Sequence, residues 1–273
     1  MHYNSTSYLC NGKNKCMNLN IYFMKRFVSF LMMASLLIIG ANAQKKIMFD
    51  LSHSQCTDVY EGHETYPLVV PAYTEMAQQL GAELVVNEEA EITPQLLKGI
   101  DVLVMLSPLS NKLQKDLTEV EKKTLVDFVK KGGSLIFFVD DNHRVDLSRY
   151  GANDVTRAFG IEFGEDVALP GNVGAVSFKN EIFKDRYEIP YSGACVMTGG
   201  IPASVCMEDG WLHSSYVKLD NGGKFFAGGD TMVGLLLGYD DGVRKVRNGM
   251  ETRWWGKDSR AFMTDLLEWA LEK

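Results

Sequence analysis

The stretch LTEVEKKTLVDFVKKGGSLIFFVDDNHR, residues 117–144, decides the fold. Thr118 followed three residues later by Glu121 is a capping box, so a helix is predicted to open here with Val120, Leu125, Phe128 and Val129 on one face. Gly132-Gly133 ends that helix. Ser134 to Val139 is then a short, continuous apolar run, the pattern of a strand covered on both faces. It runs straight into a polar burst of Asp140, Asp141, Asn142, His143 and Arg144.

Working outward, the same alternation recurs. KIMFDL (46–51) reads as a strand, Pro71 to Leu80 carries helical spacing before Gly81, and AELVVN (82–87) reads as a second strand. Thr93-Pro94 offers an N-cap and a first-turn proline for a short helix ending near Gly99, and DVLVMLS (101–107) is a third strand. Apolar strands separated by amphipathic helices predict an α/β fold built on a doubly wound, mainly parallel sheet. In such sheets ligands sit beyond the carboxyl ends of the strands. That edge should collect Asp50, Ser52, His53, Ser107 and the Asp140–Arg144 burst. From Glu165 to Phe226 short pieces such as GAVSF, YEIPYS and SSYVKL predict an antiparallel extension on the same core. GGKFFAGGD (222–230) returns to the strand form and adds Asp230 to the edge, and a closing helix is expected from Ser259 to Lys273.

Lys25-Arg26, the apolar run Phe27 to Ile39 and Ala41-Asn42-Ala43 have the layout of a secretory signal peptide cleaved after Ala43. The run is shorter than the ~20 residues a spanning helix requires, so the mature form is expected to have no membrane span and to be periplasmic or secreted. Residues 1–23 carry no signal logic, and Met24 is the expected natural start, which leaves 24–43 as signal and 44–273 as one domain. Removing the leader takes four of the 28 basic residues and no acid, leaving 24 against 35 acidic residues, a net of −11. That charge argues against nucleic acid as a partner. Cys56, Cys195 and Cys206 remain; a Cys195–Cys206 bridge and three buried thiols are alternative readings.

DVLVMLSP, LTEVEKKTLVDFVKKGGSLIFF, GGKFFAGGD and FMTDLLEWAL together resemble the class I glutamine amidotransferase-like superfamily. Within it the chain is most similar to the branch of the gliding-motility and intraflagellar-transport (GIFT) domain and the ThuA-like, trehalose-utilisation proteins, over residues 45–273. The resemblance implies a flavodoxin-like fold. It also implies that a nucleophilic cysteine would follow the strand Ser134–Val139, where this chain has Asp140 and Asp141, with no His-x-Glu pair near the C-terminus. The glutaminase triad is therefore missing from its family positions. ThuA-like relatives are associated with sugar utilisation, which makes a carbohydrate the expected kind of small-molecule ligand.

The edge residues support two readings. As a binding protein, the chain would hold a polar ligand with Asp50, Ser52, Ser107, Asn142, Arg144 and Asp230. As a glycan-degrading enzyme, it would use His53 or His143 as general base or metal ligand with Asp140 or Asp141 as partner. Polar strand ends without any ligand are the structural alternative to both. Cys56 near His53 or His63 is a minor nucleophile candidate, SHSQCTDVYEGHETYP (52–67) is long enough to be a lid, and His213 is expected at the surface. A basic–aromatic loop at 242–260 sets Arg244, Lys245, Arg247 and Arg253 beside Trp254 and Trp255. It suits a uronate or another small anion, or else anchors the last helix. A scaffold role in an envelope complex is the third reading.

Overall fold

The computed structural model describes residues 8–11, 15–18, 44–54, 69–108, 110, 112–168, 174–189, 193–207, 209–235, 237, 244–245, 251–252 and 258–272. The chain divides into two compact units, Met1–Gln44 and Lys45–Lys273. In the first, Tyr8–Asn11 pairs antiparallel with Lys15–Asn18; the expected signal segment lies outside the described residues.

The second unit is an eleven-stranded mixed sheet with helices. Its elements in chain order begin with β1 (Lys46–Asp50), α1 (Val69–Gln79), β2 (Glu83–Asn87), β3 (Val102–Leu106), α2 (Glu119–Lys130) and β4 (Ser134–Phe138). Short helices α3 (Leu147–Tyr150) and α4 (Ala152–Thr156) lead to β5 (Glu162–Ala168), β6 (Ala175–Ser177), β7 (Glu188–Ile189), β8 (Gly193–Thr198), β9 (Ile201–Cys206) and β10 (Leu212–Lys218). The unit closes with β11 (Lys224–Gly228), α5 (Met232–Leu235) and α6 (Ser259–Leu271). The parallel strands lie in the order β2-β1-β3-β4-β11, the flavodoxin-like order with its switch point between β1 and β3. Beyond β11 every pairing is antiparallel: β10, then β9, β6 and β7, with β8 joining β10 to β5.

The strands are apolar on both faces because both faces are covered. Phe49, Val104, Ile136, Phe138 and Phe226 pack with Tyr73 and Met76 of α1 and Phe262 and Leu266 of α6. The alternate residues Met48, Leu103, Met105, Phe137 and Phe225 pack with Leu125 and Val129 of α2 and with Tyr150 and Val155. The C-terminal end of α6 is capped by two lysines: Lys45, just before β1, donates from Nζ to Leu271 O, and buried Lys224 of β11 donates from Nζ to Trp269 O and, at 2.8 Å, to Glu272 O. Cations there meet the negative end of the helix dipole.

Three expectations change. Val120 points outward, 53% exposed, and the inward face of α2 is Glu121, Thr124, Leu125 and Val129. The capping box itself is present, and Glu121 turns inward because its carboxylate has buried donors to meet. The Thr93-Pro94 segment makes turns rather than a helix. Of the two cysteine readings, buried thiols hold for this pair: Cys195 and Cys206 are both free and buried, with no bridge. His213 is buried, not at the surface, because its strand β10 lies between β11 and β9 in the interior of the sheet.

Glycines 228 and 229 set how β11 delivers Asp230. A Cβ on Gly228 would lie 2.2 Å from the Phe138 ring, and one on Gly229 would lie 2.1 Å from the Cys195 carbonyl oxygen. The second clash is with backbone, which cannot swing aside. Gly229→Ala is expected to cost ~1–3 kcal/mol, seen as a lower urea midpoint with an unchanged m value. An unchanged midpoint would mean that the two backbones separate freely.

Candidate functional site

The site is built from two networks at the carboxyl edge. The first starts where β1 ends. Asp50, Ser52 and His53 are buried in the turn after the strand, held by Leu51 N and Ser52 N donating to Asn87 O at 2.8 and 3.1 Å. Asp50 Oδ1 accepts from Ser52 Oγ at 2.8 Å and from Asn87 Nδ2 at 2.7 Å. Asp50 Oδ2 lies 2.7 Å from His53 Nδ1. The other ring nitrogen, Nε2, is 3.3 Å from Glu121 Oε1, an ion-pair contact outside hydrogen-bond geometry. Glu121 also completes the α2 cap: its Oε2 accepts from Thr118 N at 2.9 Å, and its Oε1 accepts from Ile92 N at 3.0 Å.

An imidazole thus sits between two carboxylates, all three side chains out of solvent. Burial opposes charge on His53, but the Asp50 hydrogen bond and the attraction of the Asp50 and Glu121 carboxylates outweigh it and raise the pKa above 6.5. Burial likewise opposes charge on Glu121, yet His53 and the Thr118 and Ile92 N–H groups bring its pKa from 4.5 down to about 2. Both ring nitrogens of His53 face a carboxylate, and its side chain is out of solvent.

The second network is the polar burst after β4. Residues 141–145 form a turn in which Arg144 N and Val145 N donate to Asp141 O at 2.9 and 3.0 Å. Asp140 is buried, and its Oδ1 accepts from Asp141 N at 2.8 Å and Arg144 Nη1 at 2.9 Å. Burial first, eased by Arg144 and aggravated by Asp141, pushes its pKa up to about 6. Asp230 occupies the matching place after β11, where its Oδ1 accepts from Met232 N at 2.8 Å. Burial and the Asp140 charge raise its pKa well above the usual carboxylate range. Arg144 serves both acids, and their charges hold its proton more tightly still against the cost of burial. Ser107 Oγ, Asp140 Oδ2 and Asp230 Oδ2 are buried without a hydrogen-bond partner.

The structure therefore keeps His53 and His143 in different networks. His143 is 89% exposed, with Nδ1 3.7 Å from Asp141 Oδ1 and 3.6 Å from Asp166 Oδ2. Among the described residues, Asp141, His143 and Asp166 are a group whose ligand atoms lie within 4.8 Å of one another, close enough to hold one metal ion. Asn142 N donates to both carboxylate oxygens of Asp166 at 3.0 Å. Sequence reasoning passes over Asp166 because β5 reaches the edge only through its pairing with β8. It also passes over Asn87, although a polar residue ending a parallel strand is a usable signal, and takes Glu121 for a cap alone.

Of the basic–aromatic loop, the backbone pairing of Arg244–Lys245 with Glu251–Thr252 and the end of the segment at 258–260 are described. The Arg244 side chain, Arg253, Trp254, Cys56 and His63 lie outside the described residues.

The place after β4 is where the resemblance puts a nucleophile, and Asp140 fills it, ion-paired to Arg144. Cys195, nearby on β8, has Sγ 3.1 Å from Asp140 O and 3.3 Å from Asp166 Oδ1. Burial, then the Asp166 charge, drives its pKa far above that of a free thiol, the opposite of an activated nucleophile.

The fold is shared with the N-terminal domain of mmIFT52, with a TM-score of 0.57 at 12% identity over 84% of this chain and 98% of that one. A ThuA-like protein from Bacteroides uniformis aligns with a TM-score of 0.49 at 14% identity over 86% of this chain and 94% of that one. An exo-β-1,4-mannosidase from an Opitutaceae bacterium aligns with a TM-score of 0.46 at 13% identity, over 94% of this chain and 40% of the mannosidase. No family model matches the chain, and no curated protein matches it in sequence. The likeness to the mmIFT52 domain, at 12% identity, shows the fold alone. No helix among the described residues is long and apolar enough to cross a membrane.

This brace of His53 between Asp50 and Glu121 has a pH window. Glu121, with its pKa depressed, contributes stability above pH 4.5 that is lost as pH falls toward about 2. His53, with its pKa raised, contributes stability below pH 6.5 that is lost as pH rises through its higher native value. Both contributions are whole between those limits. His53→Ala leaves two carboxylates facing each other out of solvent and is expected to cost ~3–5 kcal/mol. Urea unfolding across pH should show the alkaline loss of stability flattened in this variant; an unaltered profile would remove His53 from the role.

Proposed function

We propose that this chain is an exported protein that keeps an amidotransferase-like frame without its nucleophile. It holds a small, hydroxyl-rich ligand, a sugar or uronate, beside the turn after β4, as an accessory to carbohydrate use. The observation that carries this reading is a cavity of about 400 Å³ that begins at the turn, lined by Asn142, Asp146, Ser148, Asp154, Arg157 and Glu165, with Phe163 as an apolar wall. Its volume lies within the roughly 300–1,000 Å³ of small-molecule sites. Carboxylates accept from sugar hydroxyls, the Asn142 amide also donates to them, and Arg157, ion-paired with Glu162, is the cation that a uronate would share. The burial of His53 between two carboxylates and the raised thiol of Cys195 favour binding over general-base or thiolate chemistry.

Thermal unfolding of Gln44–Lys273 against neutral sugars and uronic acids, with a chelator present throughout, tests the proposal. A ligand held only by the native state should stabilise by about 2.7 kcal/mol at a hundredfold excess over its Kd. The shift should shrink in Asn142→Ala, and a uronate shift should also shrink in Arg157→Ala. A shift lost only in Arg244→Ala or Arg253→Ala would move recognition to the basic–aromatic loop. No shift with any sugar or uronate would reject the reading in favour of a scaffold role.

A further inference from the structure

Independently of sugar binding, we propose that Asp141, His143 and Asp166 form a site for one divalent transition-metal ion of the Zn²⁺ class on the rim of the carboxyl edge. The spacing carries the argument. His143 Nδ1 lies 3.7 Å from Asp141 Oδ1 and 3.6 Å from Asp166 Oδ2. Ligands bonded to one ion at about 2.0–2.1 Å and separated by tetrahedral to trigonal angles stand roughly 3.3–3.6 Å apart. Two sides of a coordination triangle are therefore within a few tenths of an ångström of that spacing, and the two carboxylates offer oxygens within 4.8 Å of each other.

The donors come from two elements that the sheet locks together. Asp141 and His143 belong to the turn after β4; Asp166 belongs to β5, held by its pairing with β8 at Cys195. Backbone N–H groups orient both carboxylates: His143 N donates to Asp141 Oδ1 at 3.0 Å and Asn142 N donates to both oxygens of Asp166. Such contacts around the ligands fix them for a metal. His143 is 89% exposed, so the outer coordination positions are open to water or ligand.

A second observation concerns the charge behind the triangle. Asp140, which directly precedes Asp141, is buried with Oδ2 unpartnered, and the same holds for Asp230 Oδ2. Arg144 is the cation that meets these acids, at 2.9 Å from Asp140 Oδ1 and 3.7 Å from Asp141 Oδ2. That placement spends the guanidinium on Asp140 and leaves Asp141 Oδ1 and Asp166 for another cation. The imidazole selects among cations, because it suits Zn²⁺, Co²⁺, Ni²⁺ or Cu²⁺ better than Mg²⁺ or Ca²⁺.

The test is calorimetric titration of the chelator-treated full chain with Zn²⁺, together with Co²⁺ titration followed by visible absorption, both without sugar. The expected result is saturable binding of about one ion per chain that Mg²⁺ does not displace. Affinity should fall by about tenfold or more in His143→Ala and in Asp166→Asn. His143→Ala removes an exposed side chain and should match the parent by circular dichroism, so it decides the matter even if Asp166→Asn folds poorly. No saturable binding, or binding that His143→Ala leaves unchanged, would overturn the site. Because the sugar titrations contain chelator, neither result depends on the other.

Discussion

The carboxyl edge depends on one buried charge arrangement, the His53 imidazole between Asp50 and Glu121. Each carboxylate there would be costly out of water by itself, since a lone buried charge is far less stable than a paired one. A single proton on His53 answers both. Asp50 belongs to the end of β1 and Glu121 to the first turn of α2, so the brace ties the switch-point strand to the helix that precedes β4. Glu121 also closes the α2 cap and receives Ile92 N, which brings the chain after β2 into the same network. Through α2 the brace fixes the start of β4, and β4 delivers Asp140 and the turn after it.

The second half of the edge solves a similar problem differently. Asp140 and Asp230 follow neighbouring parallel strands, and one guanidinium, Arg144, faces both. Two buried acids against one cation leave an excess of negative charge, expressed as raised pKa values and unpartnered oxygens. Gly228 and Gly229 make the arrangement reachable, because side chains there would collide with the Phe138 ring and the Cys195 carbonyl. The position after β4 is thus the anchor of an ion pair. A polar, acidic rim with an adjoining cavity surrounds that ion pair, and this is the surface on which sugar and metal recognition are proposed.

The antiparallel half supplies what a plain doubly wound sheet lacks. By extending β11 through β10 to β8 and β5, it brings Asp166 beside the turn after β4 and forms a wall of the cavity with Phe163 and Glu165. Cys195 is placed by the same pairing, pressed against Asp140 O and Asp166.

The sequence by itself determined the layers. Apolar runs of strand length, a capping box and glycine stops specify parallel strands and covering helices, because burial on both faces and helix capping are local demands written residue by residue. It also determined that Asp50, Ser52, His53, Ser107, Asp140 to Arg144 and Asp230 stand at strand ends. Only the tertiary structure decided which of these meet. Periodicity reports which face of an element is apolar, not which distant side chain lies across from it. It therefore made Glu121 a cap, which it is, and Val120 a core residue, whereas of the two it is Glu121 that is buried, drawn in by the donors around it. His213 became interior for a comparable reason, since the burial of a strand depends on neighbours contributed by other parts of the chain. The separation of His53 from His143, and the joining of His143 to Asp166, follow from strand order and long-range pairing, which no local pattern encodes.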